Sequence, residues 1–270
     1  MLQEVFALTP AVCSRYIRFG LSLLLKVLRQ IPEGKICWPT ANEFPALASR
    51  ISAKYPLLQH AFGFADGLNL PVEVSGNSDI ENAYYNGWTC QHYCSSVFTF
   101  ASDGTIIHAT LNAPGSWHDA MVAGELYNKL RNHNYFIVAD TAFPHTRGDI
   151  RNKIKTPIKT GDRLPSNRQE LAECLAFSAQ VVSARQAAEW GMRAIQGSFG
   201  RLRVPLPIGD STYRLHLLEC CIRSHQVRTR LVGVNQIAEV YESNEYESNS
   251  QGNNYLHNTN RIARFYNIVL

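Results

Sequence analysis

Two short apolar runs in this 270-residue chain each end in an aspartate. Phe62-Gly63-Phe64-Ala65 leads into Asp66 and Gly67, and Tyr135-Phe136-Ile137-Val138-Ala139 leads into Asp140 and Thr141. Runs of this length and composition are of buried-strand type. Two such strands lying side by side bring two carboxylates to one edge of a sheet, a set of hard oxygen donors of the kind that Mg²⁺ and Mn²⁺ prefer. A third acid, Glu189, falls in a segment that reads as a helix from Ser183 to Leu202. Ser183 followed by Gln186 has the form of a capping box, and Ala188, Met192, Ile195, Phe199 and Leu202 recur at alternating spacings of four and three as one apolar stripe. Glu189 lies beside that stripe on a face shared with Arg185, Arg193 and Gln196, from which it is expected to point at the sheet edge.

Elements able to hold such a site follow from composition and order. At 45% hydrophobic and 10% aromatic residues the chain has the material for a core, which excludes disorder of the whole. A net charge of +4 is compatible with a nucleic-acid partner without arguing for one. Seven cysteines, at 13, 37, 90, 94, 174, 220 and 221, form no paired zinc spacing and are expected to be reduced. In Cys90-x-His92-x-Cys94, alternate residues share one face of a strand, but three such groups do not complete a tetrahedral zinc site. The apolar run from Tyr16 to Leu28 is interrupted by Arg18 and Lys26 and is too short for a hydrocarbon core of about 30 Å. A soluble protein with no membrane partner is expected.

Residues 1–60 read as a helical N-terminal extension. Thr9-Pro10 opens one helix, with Pro at its first position, and a second runs from about Glu43 to Lys54. From residue 61 strands take over: Phe62–Asp66, extending toward Val74, then Tyr93–Phe100 and Thr105–Leu111 around the Asp103-Gly104 hairpin turn. Pro114-Gly115-Ser116 breaks the meander. Ser116 and Asp119 are expected to start a helix that buries Val122, Leu126 and Leu130. The fourth strand is Tyr135–Asp140, and a fifth, Lys155–Lys159, must lie at an edge because of Pro157. A helix and connection is expected over Pro165–Phe177. A further helix, Ser211–Leu231, turns Leu215, Leu218 and Ile222 inward and leaves Arg214, Arg223, Arg228 and Arg230 on solvated faces. The Ser/Asn/Glu-rich stretch 241–260 is expected to be a disordered tail. Three antiparallel strands, a helix, a parallel strand ending in Asp and a later helix bearing Glu is the element order of an α/β RNase H-like fold. It predicts a five-stranded mixed sheet flanked by helices over 61–235.

Several short motifs occur in a fixed order along this frame. They are Gly63-Phe64-Ala65-Asp66-Gly67, Ala83-Tyr84-Tyr85-Asn86-Gly87, Asp103-Gly104, Pro114-Gly115-Ser116-Trp117-His118-Asp119 and Val138-Ala139-Asp140-Thr141-Ala142-Phe143-Pro144. Ser183-Ala184-Arg185, Glu189 and Phe199-Gly200-Arg201-Leu202 close the series. Over roughly Thr9 to Tyr241 the chain resembles a DDE superfamily endonuclease, and specifically the transposase-derived nucleases of the PIF/Harbinger group.

That resemblance implies a metal-dependent DNA endonuclease with Asp66, Asp140 and Glu189 as catalytic, metal-holding residues and two Mg²⁺ or Mn²⁺ ions. Asp66 would bridge both ions, Asp140 hold one and Glu189 the other. Action on DNA in the nucleus is implied too. Such transposases carry a fuller N-terminal DNA-binding region, whereas only about sixty helical residues precede Asp66. A truncated or domesticated copy, targeted by a separate DNA-binding protein, is therefore expected, and the alternative is a catalytically silent DNA-associated or protein-interaction module of the same fold. His118 and Asp119 either hold a metal directly, or support the site by touching substrate or the metal ligands, or simply begin a helix. Asn86 is expected to shape its turn more than to contact DNA, and Trp88 and Trp117 to pack.

Overall fold

Three helices precede the sheet: α1 (Leu2–Phe6), α2 (Pro10–Gln30) and α3 (Phe44–Lys54). The computed structural model describes residues 2–246 apart from 132, 144–147, 149, 151 and 234. Thr9 caps α2 by accepting from the Val12 N–H at 3.4 Å, with Pro10 at the first helical position. The chain then runs through β1 (Ala61–Pro71), α4 (Ser78–Tyr84), β2 (Tyr85–Asn86), β3 (Gln91–Ala101), β4 (Ile106–Pro114), α5 (Asp119–Val122), α6 (Gly124–Leu130), β5 (Phe136–Ala139) and β6 (Ile154–Lys155). Three helices follow: α7 (Arg168–Ser198), α8 (Ser211–Val232) and α9 (Gln236–Tyr246).

The sheet has six strands, in the order β4-β3-β1-β5-β6, with β2 pairing to the start of β3. β3 is antiparallel to both β1 and β4, whereas β5 is parallel to β1 and β6 to β5. This is a mixed α/β sheet with β1 at its centre. Two strand assignments differ from expectation. The edge strand stops at Lys155 and does not continue through Pro157, which has no N–H to give a ladder. The two-residue β2 is additional and too short to leave a periodic signal.

Alternation along β1, with one register irregularity between Ala61 and Gly63, sends its side chains into two cores. Phe64, Leu68 and Leu70 pack with Phe98, Phe100, Val138 and the α7 residues Val181, Ala184, Ala188 and Ile195. Phe62 and Ala65 pack on the other face with Phe44, Leu47, Val97, Ile137, Leu126 and Leu130. Each fully buried Phe contributes about 1.5–3 kcal/mol, so both faces are held by the strand that carries Asp66.

Helix α7 begins well before Ser183, which is interior to it. Asn167 is the cap, its Oδ1 accepting from the Gln169 N–H at 2.9 Å. The capping-box pattern at Ser183 is overridden because Val181 and Ala184 continue the buried stripe upstream. Leu202 is buried just beyond the helix end, in a 3₁₀ turn.

Arg214 is a second correction. It lies on no solvated face: its exposure is 0%. Its guanidinium donates to Asn112 Oδ1, to the Tyr84 hydroxyl, and to the carbonyls of Pro207 (2.6 Å) and Ile208 (3.1 Å), and it stacks 4.7 Å above the Tyr84 ring. A buried cation is tolerated only with such a complete set of acceptors, and here it ties α8 to α4 and β4.

The expected disordered tail also differs over 241–246, which belong to α9. Ile237, Ala238 and Tyr241 share one buried face of α9, and Tyr241 stacks on Phe64 at 5.2 Å, so tertiary packing outweighs the polar composition. Residues 247–260 lie outside the described residues. At the other end, α2 packs on α8 through Leu25, Leu28 and Cys220, and Arg29 pairs with Glu219 at 2.5 Å. Among the described residues no helix is long and apolar enough to cross a membrane.

Candidate active site

The parallel ladder sets the two aspartates level. Ala65 of β1 is in register with Ala139 of β5, and Asp66 and Asp140 are the next residue on each strand. Their backbones do the same thing. Asp66 Oδ1 accepts from the Gly67 N–H at 2.8 Å, and Asp140 Oδ1 accepts from the Thr141 N–H. The chain turns after Asp140 through a Phe143 N–H bond to the Asp140 carbonyl at 3.1 Å, and Phe143 anchors that turn in the core.

A third carboxylate comes from the loop after β4. Gly115 is packed so closely that a Cβ there would lie 2.1 Å from the Tyr93 carbonyl, and its own carbonyl accepts from Asn86 Nδ2 at 3.1 Å. The Ser116 N–H is bonded to the Ala83 carbonyl at 3.2 Å. The helix cap is therefore His118 and not Ser116: His118 Nδ1 accepts from the Ala120 N–H at 3.3 Å. Asp119 follows as the first residue of α5, and its carboxylate lies against Gly67. A Cβ built on Gly67 would come within 2.7–2.9 Å of all three of its carboxyl atoms.

Burial and like charge act together on these acids. Loss of solvation pushes the Asp66 carboxyl up to about 6, against a downward pull from the Gly67 N–H and then the Arg185 guanidinium; the charges of Asp140 and Asp119 add the smallest upward pushes. Asp119 is raised as well, first by burial and then by Asp140, against an opposing pull from His118. Asp66, Asp119 and Asp140 are thus electrostatic neighbours.

Glu189 comes from α7, which packs on β1, β3 and β5. Its Oε1 accepts from Arg185 at 2.9 Å, an i,i+4 ion pair. Since the Arg185 charge also acts on Asp66, this guanidinium links Glu189 to the strand acids. Sequence reasoning placed Arg185 on the Glu189 face but gave it no role. The signal was available in the four-residue spacing. The contact of the Asp119 carboxylate with Gly67 left no signal in the sequence beyond the motif that carries Asp119.

Other candidates have structural work. Asn86 Oδ1 accepts from the Trp88 and Thr89 N–H groups, both at 3.1 Å, so its amide closes its own turn and holds the Gly115 loop. Trp88 does not pack: it is 95% exposed at the tip of that turn, and Trp117 is 45% exposed. His92 pairs with Glu81 at 2.5 Å, and Cys94 is buried with its thiol pushed up to about 11.

Among the described residues, no group of three or more His, Cys, Asp or Glu side chains is placed to hold a metal ion. The donor chemistry nevertheless fits a hard divalent cation, since the mutually acting groups are carboxylates and a cation would relieve their repulsion.

No curated protein and no solved structure matches the chain. The family model for the DDE superfamily endonuclease matches residues 65–225. That span is more than half of the chain and contains Asp66, Asp119, Asp140 and Glu189. The chain belongs to the DDE superfamily endonucleases, a family of nucleases and transposases.

Proposed function

We propose that the protein is a divalent-metal-dependent DNA endonuclease of the PIF/Harbinger group, with an RNase H-like nuclease domain over 61–235 and residues 1–60 as its helical extension. Asp66, Asp140 and Glu189 hold the metal. The observation that carries this reading is the parallel pairing of β1 with β5, which brings Asp66 and Asp140 level within the family match.

Mg²⁺ or Mn²⁺, bound as two ions, supplies Lewis-acid stabilisation of the attacking water and the leaving 3′ oxygen. The chain's own part is to position and to neutralise. Asp66, on the central strand, would hold the metal together with Asp140 and Glu189. Strands β1 and β5 are buried on both faces and fix the aspartates. Arg185 donates to Glu189 Oε1 at 2.9 Å and so orients that carboxylate on α7. Phosphodiester cleavage in this scheme needs no nucleophile from the protein. The substrate is nuclear DNA, and a separate DNA-binding protein supplies sequence-specific targeting.

Incubation of supercoiled plasmid with the purified chain tests this directly. Nicking is expected with Mg²⁺ or Mn²⁺, and neither in EDTA nor with Asp66→Asn. Equal nicking by Asp66→Asn would remove the reading.

A further inference from the structure

The chain that leaves β6 carries a run of positive charge. From Lys153 to Arg168 there are five basic residues, Lys153, Lys155, Lys159, Arg163 and Arg168, against one acid, Asp162. Two of the five are engaged: Lys153 Nζ donates to the His133 carbonyl, and Lys155 Nζ donates to Asn152 Oδ1 at 2.9 Å. Lys159, Arg163 and Arg168 are exposed, and none of them pairs with an acid among the described residues.

Parallel pairing fixes where these residues emerge. Val138 of β5 is level with Lys155 of β6, so β6 ends two residues short of the level of Asp140, and the chain from Thr156 onward leaves at the edge that carries Asp66 and Asp140. With β5 between them, β6 stands about 10 Å from β1 at the usual strand spacing. The Ile158 N–H then donates to Ser178 Oγ at 3.1 Å, which ties the segment to α7. Helix α7 covers the face of β1 that carries Phe64 and Leu68, and Asp66 lies between them on that face. The basic segment and the Asp66 carboxylate therefore share one edge and one side of the sheet.

The segment is also preorganised. The Lys159 N–H donates to Asp162 Oδ2 at 2.7 Å and the Asp162 N–H to the Lys159 carbonyl at 3.1 Å, with Gly161 at φ 96°. The one acid of the run thus closes a turn whose ends are Lys159 and Arg163. Arg168 adds an independent signal. It is the first residue of α7, a helix of 31 residues whose positive dipole end lies there. A cation is disfavoured at that end and an anion favoured, so helix stability does not account for Arg168; Glu170 in the same turn offsets only one charge. Three exposed cations spread from 159 to 168 suit an extended anion that repeats its charge, as a nucleic-acid backbone does.

We propose that Lys159, Arg163 and Arg168 hold phosphates of the DNA duplex to one side of the scissile bond, which makes the turn between β6 and α7 a substrate-positioning site. The inference rests on the nuclease reading above and adds where the duplex lies. At roughly 10–15 Å from Asp66 the contacts fall about three or four base pairs from the cut. Contacts to phosphate carry no sequence information, in keeping with targeting by a second protein.

The test is binding of a short fluorescent DNA duplex in EDTA, followed by anisotropy across a KCl series. Lys159→Gln combined with Arg163→Gln is expected to weaken binding about tenfold or more at low salt and to reduce the slope of log Kd against log salt by about 1.8, the value of two phosphate contacts. Arg168→Gln is expected to weaken binding without lowering the melting temperature, because it removes a cation from the positive end of a helix. Arg15→Gln combined with Lys26→Gln is the control: it removes the same charge from exposed positions of α2, which packs on α8, and should leave the slope near that of wild type. Thermal melts report that each variant is folded. If the Lys159/Arg163 pair binds like wild type, or if the α2 pair lowers affinity and slope equally, the turn holds no phosphate, and this inference falls while Mg²⁺-dependent nicking by wild type keeps the nuclease reading. Wild-type protein that neither binds the duplex nor nicks plasmid overturns both.

Discussion

Asp66 should cost the metal-free protein stability, and removing its charge should give that stability back. An unfolded aspartate titrates near 3.8, and in the fold Asp66 is pushed up to about 6. A raised carboxyl favours the fold fully below the lower value and loses that contribution as pH rises through the upper one. At pH 8 the ionised group therefore opposes folding by about 3 kcal/mol, the free-energy equivalent of the shift, and by roughly half of that at pH 5. Partial exposure of Asp66 makes this an upper figure. Asp66→Asn keeps the shape and an oxygen to accept the Gly67 N–H. Urea unfolding in EDTA should accordingly show the variant more stable than wild type by about 1.5–3 kcal/mol at pH 8, with the gain shrinking toward pH 5 and the m-value unchanged. Adding Mn²⁺ should raise the wild-type midpoint and narrow the gap, because a ligand bound only by the folded state stabilises it. A variant no more stable than wild type at pH 8 would refute the claim that the buried Asp66 charge opposes folding of the metal-free protein.

Two further substitutions test how the site is held. Arg214→Met strands the acceptors on Asn112, Tyr84, Pro207 and Ile208 and should destabilise by about 3–5 kcal/mol in urea melts, with Arg214→Lys recovering little because an ammonium cannot span the same acceptors. Gly191→Ala should lower the melting temperature despite the better helix propensity of Ala. The new Cβ would stand 2.6 Å from the ring of Phe100, which is fully buried and cannot give way, and overpacking of this kind costs about 1–3 kcal/mol.

The frame of the site was legible because it rests on local signals that tertiary structure did not override. Apolar runs ending in Asp66 and Asp140 became β1 and β5, and Asp103-Gly104 became the β3–β4 turn, with Gly104 at φ 79°. The parallel pairing of the two Asp strands followed from the helix between them. What was not legible depends on contacts across the chain. Ser183 and Gln186 match a capping box, yet the apolar stripe of α7 already begins at Val181, so the helix passes through. Arg214 sits among arginines in sequence, and only the fold supplies the carbonyls of the 207–208 turn and the side chains of Asn112 and Tyr84 that admit it to the interior. Tyr241 anchors a helix that its polar neighbours argue against. The approach of Asp119 to Gly67 joins two motifs that lie far apart in the sequence, and neither motif alone announces it.

Single-turnover cleavage of a DNA duplex in Mg²⁺ or Mn²⁺ tests most directly whether Asp66, Asp140 and Glu189 form one metal-dependent centre. Wild type should be compared with Asp66→Asn, Asp140→Asn and Glu189→Gln, and with Glu170→Gln and Glu173→Gln as controls from the exposed first turns of α7. The account predicts that each of the first three variants, folded by thermal melt, falls to the rate seen in EDTA, while both controls cut as wild type does. A folded Glu189→Gln protein that cleaves at the wild-type rate would contradict it.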